Sequence, residues 1–112
     1  MKIALLILAC VFLCAGHAHA QVAVTTGSLE GLRGCEITYE RYEPALAATE
    51  SVVILAHGFR RSLANMRGWA QDWSALGLPV VIPSLCNSSW LRGRHRENAD
   101  DLVALRRHLG IQ

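Results

Sequence analysis

Two kinds of apolar pattern alternate along this chain. Cys35, Ile37 and Tyr39 alternate with Glu36, Thr38 and Glu40. That period of two predicts a strand with one wet face, ending at Pro44. Val22 to Thr26 also has β character and runs into the turn residue Gly27, so the fold opens on an antiparallel pair. Val52 to Ala56 is continuously apolar, as suits a strand covered on both faces in a parallel sheet. Leu63, Met66, Ala70, Trp73 and Leu76 then recur at helical spacing, with Ser62 as N-cap and Gly77 as stop. Pro79 and Pro83 bracket a further short strand, Val80 to Ile82. Strand, helix and strand make a βαβ unit.

Ser84 to Arg94 is polar and turn-rich, with Trp90 its one large aromatic. A second helix is expected from about Glu97 to Leu109. Glu97, Asp100 and Asp101 open it and Arg106, Arg107 and His108 close it, complementing the macrodipole at both ends. Leu102, Leu105 and Leu109 mark its buried face. The class is α/β.

The N-terminus reads differently. Lys2 precedes an almost wholly apolar run from Ile3 to Ala15, and Ala18-His19-Ala20 matches a signal-peptidase site. The run is shorter than the roughly 20 residues of a membrane span. Residues 1–20 are therefore read as a signal peptide, which implies export to the periplasm or medium and no stable membrane span after cleavage. An uncleaved N-terminal anchor is the alternative.

Cleavage would leave 92 of the 112 residues, and ten arginines against nine acidic residues, since Lys2 is the only lysine. That balance points away from nucleic acid. Cys35 and Cys86 remain as an even pair in an exported chain, which invites a disulfide; two separate thiols are the alternative.

The candidate chemistry sits after the buried strand, at His57-Gly58-Phe59. A strand ending in His-Gly-aromatic resembles the oxyanion-hole strand of α/β-hydrolases. His57-Gly58-Phe59-Arg60-Arg61-Ser62, followed by Ala64-Asn65-Met66-Arg67-Gly68-Trp69-Ala70, is similar to exported dienelactone-hydrolase-like and polyester-hydrolase-like members. The resemblance covers Val52 to Leu109. It implies that the backbone N–H of Phe59 helps stabilise the oxyanion of acyl transfer. It implies that His57 braces the loop and is not the catalytic base. It places Phe59, Arg60 and Trp90 against a small-molecule ester in the complete protein, with no cofactor and no metal.

No Gly-x-Ser-x-Gly occurs in the sequence. A triad of Ser88, His95 and Asp100 can be written down without any elbow motif to support it. Cys86 lies one strand too early to be the elbow nucleophile. His95, Asp100, Asp101 and His108 lack metal-ligand spacing. Residues 21–112 are thus expected to be the N-terminal portion of an α/β-hydrolase domain, inactive alone. Its Val52–Ala56 strand should then keep an unpaired edge prone to association. The alternatives are a small exported non-enzymatic α/β binding module and a degenerate gene product.

Overall fold

The computed structural model describes residues 21–58, 61–86 and 94–112. Within them, four strands form one mixed sheet in the order β1-β2-β4-β3. β1 (Val22–Glu30) and β2 (Glu36–Pro44) are antiparallel, β2 and β4 (Val80–Pro83) are antiparallel, and β3 (Val53–Ile54) lies parallel to β4. Helices α1 (Arg67–Ala75) and α2 (His95–His108) follow β3 and β4 respectively.

β1 does not stop at Gly27. It runs on to Glu30, because Gly27 pairs directly with Tyr39. The Tyr39 ring and hydroxyl lie over the position a side chain would occupy at Gly27, so an added Cβ would clash with them. Tyr39 thus supplies the packing that glycine lacks. The chain reverses instead through a 3-10 turn at Leu32–Gly34, where Gly34 takes φ 75°.

β2 departs from the expected single wet face. Ile37 is fully buried on one face and Tyr42 is buried on the other. The reason is that different elements cover the two ends of this strand. Tyr42, Ala70, Val80 and Ile82 form a core under α1, joined by Val53, Leu55, Met66 and Trp73. On the opposite face the rings of Tyr39 and α2 residue His108 meet edge to face, 6.0 Å apart. Leu105 of α2 is completely buried. Val80, Val81 and Ile82 are inaccessible to solvent, as a strand covered on both faces requires.

The first helical segment is divided. Leu63–Met66 is a 3-10 turn and only Arg67–Ala75 is α-helical. Asn65 Oδ1 accepts the N–H of Ser62 at 2.9 Å, closing the entry. Gly77 ends the helix at φ 92°, with Ala48 packed where a Cβ would stand. A left-handed, crowded position of this kind suits glycine alone.

Asp101 corrects the expected charge pattern of α2. It is 1% exposed, and its Oδ1 accepts the N–H of Leu32 at 3.2 Å. It ties the helix to the β1–β2 turn across 69 residues of sequence and is not a solvated partner of the helix dipole. Glu97 keeps its place in the first turn, and Arg106, Arg107 and His108 keep theirs in the last.

Candidate active site

β3 is short because its pairing with β4 is short. Val53 donates to the carbonyl of Pro79 at 2.9 Å and Leu55 to that of Val81 at 2.8 Å. In a parallel ladder, alternate residues face alternate neighbours. Val52, Ile54 and Ala56 therefore direct their backbone groups to the outer side of β3, where no described strand lies.

Beyond β3 the chain reaches His57, which is 6% exposed. Its Nε2 accepts the backbone N–H of Leu85 at 3.0 Å. An accepting Nε2 carries no proton, so the ring proton sits on Nδ1. Nδ1 lies 3.2 Å from the carbonyl oxygen of Gly58 and donates to it. Both ring nitrogens are thus used by backbone groups, one after β4 and one in the turn after β3. A buried imidazole engaged in this way positions a loop and has no nitrogen left to take a proton from a nucleophile.

The segment after β4 is tied on its other side to β2. Ser84 donates to the carbonyl of Thr38 at 2.8 Å. Cys86 is joined to Cys35 by a disulfide, with Cα atoms 6.3 Å apart, inside the usual range. The cysteine pair left open by the sequence is a bridge. Cys86 is accordingly not a free thiol, and thiolate nucleophilicity does not apply to it.

A cleft of about 500 Å³ lies on the α1 face of the β1–β2 hairpin, lined by Thr26, Ser28, Thr38, Glu40, Arg67 and Ser84 among others. Its charged feature is an ion pair. Arg67 Nη2 donates to Glu40 Oε1 at 2.6 Å and Arg67 Nε at 3.0 Å. The hydroxyl of Tyr42 donates to Glu40 Oε2 at 2.8 Å. The guanidinium hydrogen bond holds the Glu40 carboxyl below its ordinary range, although partial burial opposes it. Burial, then the carboxylate beside it, pushes the Tyr42 phenol up to about 12. Arg67 reaches Glu40 through both Nε and Nη2, and Tyr42 takes the second carboxylate oxygen, so the cluster clamps α1 onto β2. Linear spacing hid it, since Glu40 and Arg67 are 27 residues apart. Glu40 and Tyr42 could have been placed on one face from their separation of two.

Of the sequence-predicted site residues, His57 lies at the end of β3 as described. Phe59, Arg60 and Trp90 lie outside the described residues. So does Ser88, and His95 and Asp100 are exposed on α2. Among the described residues no cluster of His, Cys, Asp or Glu could hold a metal ion, and no helix is long and apolar enough to cross a membrane. The backbone N–H of Leu85, the anchor of His57, is invisible to motif reading because a main-chain donor has no residue identity.

No family model matches the chain, and no curated protein does. Solved structures do. A bacterial brefeldin A esterase, described as a homologue of human hormone-sensitive lipase, aligns over 98% of this chain and 32% of its own, with a TM-score of 0.60 and 24% identity. An epoxide hydrolase from Vigna radiata aligns over 79% of this chain and 29% of its own, with a TM-score of 0.59 and 21% identity. The sheet and its two helices therefore form part of an α/β-hydrolase fold. The chain spans about a third of the length of either neighbour.

Proposed function

We propose that this chain is the N-terminal portion of an exported carboxylic-ester hydrolase, and that it supplies the oxyanion side of the active site. The observation that carries the reading is the attachment of His57 to Leu85. It fixes the turn after β3 at the carboxyl ends of two parallel strands, where ligands of open α/β sheets bind. The N–H of Phe59 would then stabilise the tetrahedral oxyanion. Gly58, with nothing within 4 Å of an added Cβ, leaves room for a substrate to approach. The ester class follows from the resemblance of His57-Gly58-Phe59 and its flanks to exported polyester-hydrolase-like proteins, with which the brefeldin A esterase likeness agrees.

The serine nucleophile, its base and its acid would come from sequence other than these 112 residues, next to the open edge of β3. Arg60 and Trp90 would line the acyl pocket. In the assembled enzyme the serine attacks the ester carbonyl, the base takes its proton and returns it to the leaving alcohol, and the acid orients the base. His57 is a brace throughout.

The test has two arms. The pure chain should not hydrolyse a short-chain p-nitrophenyl ester above background. Turnover lost in Ser84→Ala or Cys86→Ala would refute inactivity. Then the gene is read beyond codon 112 for a Gly-x-Ser-x-Gly segment, and that segment is co-expressed with the chain. Hydrolysis should appear, and Phe59→Pro, which removes the N–H, should lower kcat by roughly 10²–10³-fold. Absence of such a segment, together with a soluble monomeric chain, would favour the binding-module reading.

A further inference from the structure

The disulfide and His57 meet on one short stretch of chain. Cys86 follows Leu85 directly, and Leu85 provides the N–H that His57 accepts. Pro83, opposite Tyr39, is the last residue of β4 in register with β2. Ser84 makes one further bond, to Thr38. Past that point the segment leaves the sheet, and its attachment to the β2 side passes to the covalent link with Cys35. Leu85 is thus held between a bridge on one flank and an imidazole on the other. Both cysteines are only partly buried, so a reductant in solution can reach them.

We propose that the Cys35–Cys86 disulfide is a redox-sensitive positioning device for His57. Closed, it keeps the Leu85 N–H within reach of Nε2. Opened, it releases the 84–86 segment, the bond to His57 weakens, and the His57–Gly58 turn loosens. The opening step needs two electrons, supplied by a dithiol. One thiolate of the reductant attacks a cystine sulfur and expels the other as a thiolate. Its second thiol then attacks the mixed disulfide, closing the reductant into a cyclic disulfide and leaving Cys35 and Cys86 as thiols. The inference goes beyond the hydrolase reading and does not depend on it, because the coupling is read from amides and not from turnover.

The experiment compares the full chain, oxidised and after dithiothreitol, by hydrogen exchange with single-amide resolution. Alkylation mapping first establishes that Cys35 and Cys86 react only after reduction. Thiols at both positions in the untreated, air-oxidised protein would overturn the proposal at once. The expected result is at least tenfold faster exchange of the Leu85 amide on reduction, while the amides of Tyr39 to Tyr42 change less than twofold. In His57→Ala the Leu85 amide should exchange fast already, and reduction should add less than twofold. Cys35→Ser reproduces the reduced pattern without reductant and serves where His57→Ala fails to fold. Unchanged Leu85 exchange after reduction would sink the idea. So would equal acceleration across β2, which is the mark of a general staple.

Discussion

His57 Nε2 and the N–H of Leu85, 3.0 Å apart and buried, join the ends of two neighbouring parallel strands. Removing the acceptor leaves a main-chain donor without its partner in the interior, which costs about 1–3 kcal/mol. His57→Ala should therefore lower the unfolding free energy obtained from urea titration by that much, seen as a lower midpoint at unchanged slope. His57→Gln, which keeps an acceptor, should recover part of it. Equal stability of wild type and His57→Ala would show that this bond contributes nothing.

The Glu40 cluster makes acid sensitivity specific. The folded-state pKa of Glu40 is depressed, first by Arg67 and also by Tyr42. The stabilisation is thus present above the unfolded value of 4.5 and is lost as pH falls through the lower folded value. Tyr42 has the opposite sign. Its pKa rises from 10.0 to about 12, so its contribution is intact below pH 10 and is lost as pH climbs through that interval. Thermal melts across pH should show both limbs. Glu40→Gln should flatten the acid limb and cost about 0.5–1 kcal/mol at neutral pH, the range of a partly exposed ion pair.

Asp101 is an interior acceptor, so its variants should separate charge from hydrogen bonding. Asp101→Ala strips the Leu32 N–H of its partner and should destabilise by about 1–3 kcal/mol. Asp101→Asn retains an oxygen at the same place and should cost less. Were Asp101 simply a solvated first-turn acid, both changes would register only a few tenths.

The outer edge of β3 should govern self-association. Ile54 turns its N–H away from β4, so Ile54→Pro leaves the β3–β4 bonds of Val53 and Leu55 intact while blocking addition of a strand. Sedimentation should show association of residues 21–112 that this substitution reduces. A wild-type chain that stays monomeric at high concentration would contradict the open-edge account.

Much of the architecture was legible in linear order, because periodicity and chain breakers act locally. The Pro-bracketed Val80 to Ile82 and the stop at Gly77 required no long-range information, whereas the run Val52 to Ala56 is a strand only over Val53–Ile54 and is at most half-buried, because no described element covers its outer side. The 3-10 entry at Leu63–Met66 was missed, since 3-10 and α turns share the same apolar spacing over one turn. The extension of β1 through Gly27 was missed because its cause, the Tyr39 ring, lies on another strand.

The residues by themselves determined the order of strands and helices though not all their bounds, that an apolar segment runs into His-Gly-Phe, and that no Gly-x-Ser-x-Gly lies in these 112 residues. Those properties reside in neighbours along the chain. Only the folded molecule decided that Cys35 and Cys86 pair, that Glu40 meets Arg67, that Asp101 turns inward, and that Leu85 holds His57. Each of these depends on sheet order β1-β2-β4-β3, which brings together groups 27 to 69 residues apart. A contact across such separations is set by the packing of whole elements, and spacing along the chain carries no trace of it.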